Sequence, residues 1–121
     1  MATVRYLVKD VTESIRFYES LGFELHQQFG PAMAIVGKGD LTLWLAGPAS
    51  SAAQAMPDGA KPQPGGWNRF VIEVKDLAGL VADLKGKSVK FRNEILSGPG
   101  GSQILCEDPS GNCIELFQAR P

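Results

Sequence analysis

Apolar and polar residues alternate at the start of the chain, where Val4, Tyr6 and Val8 fall on one side of an extended segment. A period of two predicts a strand. From Asp10 the period lengthens: Ile15, Tyr18 and the Phe17/Leu21 pair recur at helical spacing. Asp10 stands at the N-cap position, Glu13 follows three residues later as in a capping box, and Gly22 closes the pattern. These signals predict a helix near Val11 to Leu21. Three β-prone stretches come next, near Phe23 to Gln28, Ala32 to Val36 and Leu41 to Ala46, with Gly37-Lys38-Gly39-Asp40 as a hairpin turn between the last two.

The whole pattern then returns. Val8-Lys9-Asp10-Val11 reappears as Val74-Lys75-Asp76-Leu77, again after a β-prone run (Phe70, Ile72, Val74) and before a helical stripe of Leu77, Leu80, Val81 and Leu84. Gly86 is the expected stop, giving a helix near Leu77 to Lys85. Three further β-prone stretches follow, near Val89 to Glu94, Gln103 to Glu107 and Cys113 to Gln118, with Asp108-Pro109-Ser110-Gly111 as the last turn. The pattern predicts an α+β fold of two βαβββ units with eight strands. Unit one covers about 1–46 and unit two about 67–121 of a single domain spanning 1–121. Between them, 47–66 is rich in Gly, Pro, Ala and Ser, and Pro48, Pro57, Pro62 and Pro64 oppose regular structure. It is read as a linker, with a lid as the other possibility for a loop of this length.

Size and composition fit that picture. At 121 residues and 44% hydrophobic content the chain matches one domain with a core of its own. Twelve basic and thirteen acidic residues lie along the chain without runs, for a net charge of -1, so no footprint for a phosphate backbone is expected. Neither a secretory signal nor an apolar run of roughly 18 residues is present, so no membrane partner is expected either. Only two cysteines, Cys106 and Cys113, occur, too few for a disulfide scaffold. A cytoplasmic location is the expectation.

Two motifs give the repeat a family likeness: Ser14-Ile15-Arg16-Phe17-Tyr18 followed by Leu21-Gly22-Phe23, and Glu107-Asp108-Pro109-Ser110-Gly111-Asn112 followed by Ile114-Glu115-Leu116. Both resemble signatures of the vicinal-oxygen-chelate superfamily, the glyoxalase, bleomycin-resistance and dioxygenase fold. The resemblance implies an eight-stranded cup-shaped sheet with helices outside. In metal-dependent members it implies four ligands, one from the first and one from the last strand of each unit. The first-strand positions, seven residues before the helix-opening Asp, fall on Thr3 and Arg69; the last-strand positions, four residues after the turn glycine, fall on Leu43 and Glu115. Only Glu115 keeps a ligand's chemistry. Leu43 has no donor atom, and Arg69 brings a permanent positive charge to the place of a cation. No metal and no cofactor are therefore expected.

The remaining candidates follow from that register. Arg69 and Glu115 are expected to form a direct salt bridge at the superfamily's metal position, either as part of a ligand site or as an ordinary stabilising pair. Arg5 shares the cup-facing parity of Thr3 and Leu7. Leu41, Leu43, Leu45, Val71 and Phe117 are placed on the cup side as an apolar lining, and Trp44 on the opposite side beneath the helices. Trp67 is read at the rim or in the core, and Ser102 and Gln103 at the rim. His26, the single histidine, is read as a solvated strand-edge residue. Cys106 and Cys113 are read as buried, inert thiols that face each other across a hairpin.

Two classes of function stay open. One is a metal-independent protein that binds a small aromatic or amphipathic molecule through Thr3, Arg5, Leu43, Trp67, Arg69, Val71, Gln103, Glu115 and Phe117. The other is a lyase, isomerase or dioxygenase of the same superfamily, with an atypical metal site or with Glu115 as acid or base. A homodimer is expected by analogy with the family.

Overall fold

A computed structural model describes residues 2–121. The chain forms two compact units. The first runs to Gly65 and includes Pro109–Asn112, and the second comprises Gly66–Asp108 and Cys113–Pro121.

In the first unit, β1 (Ala2–Leu7), β2 (Glu24–Phe29), β3 (Met33–Lys38) and β4 (Leu41–Ala46) make a sheet of order β1-β4-β3-β2. β1 and β4 run parallel, and the other neighbours antiparallel. The helix α1 (Val11–Ser20) starts where the sequence places it, because the Asp10 side chain accepts from the Glu13 backbone N–H at 3.0 Å. It ends with Phe23 N–H donating to the Tyr18 carbonyl at 3.1 Å while Gly22 takes φ +92°. That left-handed residue is what a chain needs to leave a helix in this way. α1 packs on β2, β3 and β4. Tyr18, Ile15, Val36, Leu43 and Leu45 are buried there, whereas Thr42, Trp44, Ile35 and Met33 on the opposite, open face are half-buried.

The turn Pro109–Asn112 completes this unit. Asn112 Nδ2 donates to the Leu7 carbonyl, its Oδ1 accepts from Gly65 N–H, both at 2.7 Å, and Ser110 Oγ accepts from Lys9 N–H at 2.7 Å. Ser110 and Asn112 are almost fully buried, so these bonds replace water for groups that would otherwise be left unsatisfied.

The second unit repeats the plan. β5 (Arg69–Glu73) runs parallel to β9 (Cys113–Ala119), which pairs antiparallel with β8 (Gly101–Glu107). The helix α2 (Leu77–Gly86) is capped by Asp76, whose side chain accepts from Gly79 N–H at 3.1 Å. It buries Leu77, Val81 and Leu84 on the side where Ile72, Ile104, Ile114 and Leu116 are also buried.

The strand expected near Val89 to Glu94 divides into two short ones, β6 (Lys90–Phe91) and β7 (Leu96–Ser97), both on β8. The cause is local. Arg92 N–H still donates to the Leu105 carbonyl, but Leu105 N–H donates to the Asn93 side chain at 3.0 Å, so a carboxamide takes the place of the next ladder carbonyl. The count of strands among the described residues is therefore nine rather than eight, within the same α+β class. Gly86 also differs from expectation: it is the last helical residue, and Ser88 takes the left-handed turn at φ +63°, with Val89 N–H on the Leu84 carbonyl. No described helix is long and apolar enough to cross a membrane.

Candidate functional site

On the second sheet the ladder fixes three cross-strand rows on the face away from α2: Arg69, Cys113 and Glu107; Val71, Glu115 and Leu105; Glu73, Phe117 and Gln103. A strand's side chains alternate faces, so the residues of these rows share one surface. Glu115 is 9% exposed despite its charge. Its Oε1 receives two bonds from Arg69, Nη2 at 3.0 Å and Nε at 3.1 Å, and Arg69 Nη1 donates to the Trp67 carbonyl at 3.3 Å. A buried carboxylate needs such partners, since removing it from water costs several kcal/mol otherwise. The expected direct pair is present.

Beside it stands a second pair that the sequence reading missed. Arg92 Nε lies 2.9 Å from Glu107 Oε2, Arg92 Nη1 donates to the Gly66 carbonyl at 2.8 Å, and the guanidinium sits 4.4 Å above the Trp67 ring. Arg92 is the less exposed of the two arginines, 14% against 32%. Trp67 itself is 68% exposed, which places it at the surface and not in the core. Val71 is exposed, and Gln103 and Phe117 line a cavity of about 200 Å³ together with Leu96, Ser97, Gly98 and Gly101. Ser102 points the other way in the ladder, its hydroxyl 3.0 Å from that of Ser97.

The two thiols do not face each other. Cys106 pairs with Ile114 on the helix side, whereas Cys113 lies between Arg69 and Glu107 in the ladder on the other face. Neither forms a disulfide, and both are buried. Burial pushes the Cys106 thiol up to about 12, with Cys113 and Asp108 adding to the rise. Burial also raises the Cys113 pKa, against the lowering pull of Arg92 and Arg69. Both thiols are held protonated at neutral pH, so neither is a ready nucleophile.

On the first sheet the ladder corrects the sequence reading. Thr3 pairs with Thr42, Val4 with Leu43, and Arg5 with Trp44. Leu43 therefore faces α1, where it is fully buried, as is Leu45; neither can contact a ligand on the open face. Trp44 takes that place, half-buried, with the Arg5 guanidinium 5.0 Å from its ring centroid. The error lies in the hairpin. Four residues after the turn glycine is Glu115 in one unit and Leu43 in the other, but two residues, Gly39 and Asp40, join β3 to β4 whereas five, 108–112, join β8 to β9. The strand enters its ladder one residue out of step, and a slip of one residue exchanges the faces. By ladder position, the counterpart of Glu115 is Trp44.

His26 is exposed at a bulge between Leu25 and Gln27. Its imidazole lies over Gly37, where any Cβ would collide with the ring.

Residues 1–116 match the family model described as the Glyoxalase/Bleomycin resistance protein/Dioxygenase superfamily. The chain belongs to that superfamily. No curated protein sequence matches it. Among solved structures of this glyoxalase superfamily chain's fold, a lactoylglutathione lyase from Agrobacterium tumefaciens aligns with a TM-score of 0.73 at 18% identity, covering 98% of this chain and 92% of the other. TnmS3, an antibiotic binding protein from a Streptomyces species, aligns with a TM-score of 0.73 at 26% identity, covering 98% and 93%. A superfamily member from Sphaerobacter thermophilus gives 0.76 at 23% identity, covering 98% and 95%.

The superfamily's metal positions can now be tested against the side chains that occupy them. Corrected by the ladder, they are Thr3, Trp44, Arg69 and Glu115. Neither unit's pair, a hydroxyl with an indole in the first or a carboxylate with a guanidinium in the second, offers the N, O or S donors that a divalent ion takes. The guanidinium also stands 3.0 Å from the single carboxylate, where the cation would have to sit. The residues do not fit a metal.

Proposed function

We propose that the chain is a glyoxalase/bleomycin-resistance-like protein that binds a small aromatic or amphipathic molecule on its open sheet faces without a metal. The observation that carries this reading is the Arg69–Glu115 pair, in which a fixed cation occupies the carboxylate a metal would use. The 200 Å³ cavity at Gln103 and Phe117 beside exposed Val71 and Trp67 gives a surface of the mixed apolar and polar kind that small-molecule sites have. TnmS3, described as an antibiotic binding protein, shows that the fold can serve binding. The proposed contact residues are Thr3 and Arg5 on the first unit's face, and Trp67, Arg69, Val71, Gln103, Glu115 and Phe117 on the second's. A cytoplasmic homodimer belongs to the same proposal.

An enzyme using Glu115 as acid or base is the second reading. In its favour, Glu115 accepts both arginine bonds on Oε1, which leaves Oε2 without a hydrogen bond among the described residues. Against it, no second group among the described residues stands ready to complete proton transfer.

The test is native mass spectrometry and metal analysis on protein purified without chelator. The expected result is a co-purifying small molecule and far less than one metal per chain. Near-stoichiometric zinc, nickel, manganese or iron, with an activity lost on chelation, would overturn the reading.

A further inference from the structure

Three arginines stand on the two open faces, and they are used differently. Arg69 and Arg92 each hold a carboxylate, Glu115 and Glu107, at 3.0 Å and 2.9 Å. Arg5 is exposed and, among the described residues, makes no ion pair and no hydrogen bond; it is held by its place over the Trp44 ring. An acid on that face, Glu24, shares a cross-strand row with Gly37, Thr42 and Thr3. It lies on β2, three strands from β1, about 14 Å away at the usual strand spacing and beyond the screening length at physiological salt. A guanidinium that stacks on an indole keeps its N–H edge free for a planar anion, and its orientation is set in advance.

The surface beside Arg5 is apolar. Arg5, Trp44, Ile35 and Gln27 form one cross-strand row, and Leu7, Ala46, Met33 and Phe29 form the next. Trp44, Ile35 and Met33 are half-buried, and Phe29 is 47% exposed. From β1 to β3 the distance is roughly 10 Å at the usual strand spacing, the length of a two-ring aromatic acid.

We propose that the open face of the first sheet binds a small aromatic anion, its carboxylate or sulfonate on the Arg5 guanidinium and its rings along Trp44, Ile35 and Met33. This rests on the small-molecule reading above and narrows it to a charge and a place. The second face has no arginine to spare for such an anion, because releasing Arg69 or Arg92 would strand a largely buried carboxylate.

The full-length protein is titrated calorimetrically with 2-naphthoate and with its neutral counterpart 2-naphthamide. The Trp44 indole N–H resonance reports the place, once assigned by loss of the other indole signal in Trp67→Phe. Naphthoate is expected to bind about tenfold tighter than the amide, the worth of one charge-assisted contact. The Trp44 signal should shift, and Arg5→Gln should level the two probes by weakening the naphthoate about tenfold more than the amide. Arg5→Lys, which keeps the charge but not the stacked plane, should fall between. Equal affinity for both probes, a preference that survives Arg5→Gln, or a shift at Trp67 alone would overturn the inference while leaving a binding protein. Self-association that Arg5→Gln disrupts, with neither probe bound, would assign the face to a second copy and also overturn it. Failure of the broader reading shows separately, as a native mass spectrum with no co-purifying molecule.

Discussion

The two units carry the same fold and opposite chemistry at matching ladder positions. Two steps along the last strand from the partner of Thr3 stands Trp44; two steps from the partner of Arg69 stands Glu115. On the second sheet positive charge is cancelled in place by Glu115 and Glu107, whereas on the first Arg5 is presented on an aromatic ring. Duplication of a fold therefore does not duplicate a site. The backbone fixes where side chains point, and the residue at each point decides whether the face is closed by its own ion pairs or left with a charge for a ligand.

The largest effect that separates the faces is expected at Leu43. Because it is fully buried against α1, Leu43→Ala should cost about 2–5 kcal/mol, as other core truncations of leucine do. Urea unfolding reads this directly. A loss below about 1 kcal/mol, combined with weakened ligand binding, would return Leu43 to the open face and break the comparison.

That residue also shows how much was legible beforehand. The duplicated Val-Lys-Asp motif, the helical stripes and the Asp caps were plain, since periodicity and capping are local properties of sequence. The Arg69–Glu115 pair followed from the superfamily resemblance, which implies ligand positions counted from Asp76 and Gly111. The same count failed for β4 because hairpin length sets register, and a two-residue loop looks much like a longer one when Gly37 and Gly39 lie together. Arg92 escaped for a different reason. It sits where Asn93 replaces the ladder, in a stretch read as one continuous strand, and its partners Gly66, Trp67 and Glu107 are remote in sequence.

A smaller effect distinguishes the two arginines of the second face. Arg92→Ala removes the more buried cation, its bond to the Gly66 carbonyl and its stacking on Trp67, and leaves Glu107 at 18% exposure with Lys90 at 3.9 Å. A cost of about 2–3 kcal/mol is expected. Arg69 is one-third exposed, so water entering the space it vacates can solvate part of the Glu115 carboxylate left at 11% exposure, and Arg69→Ala should cost less, about 1–2 kcal/mol. Paired unfolding curves for the two variants check the order. If Arg69→Ala were the more damaging, the Arg69–Glu115 pair would be the structural anchor of the face and Arg92 its adaptable member.

The smallest effect concerns the helix ends, where the units solve one problem with different residues. Gly22 and Ser88 both follow the helix at the left-handed position, φ +92° and +63°, each just before the residue that bonds back to Tyr18 or Leu84. Glycine adopts that conformation without a Cβ penalty, whereas serine is strained by it. Ser88→Gly relieves the strain but also frees the unfolded chain, which returns part of the gain. A net stabilisation of about 0.5 kcal/mol is expected, seen as a small rise in the urea midpoint at constant slope. Gly22→Ser should move the midpoint the other way by about 1 kcal/mol, since it imposes the strain that Ser88 already bears. Loss of stability in Ser88→Gly would mean that the serine side chain supports the turn, and the two helix ends would then not be equivalent.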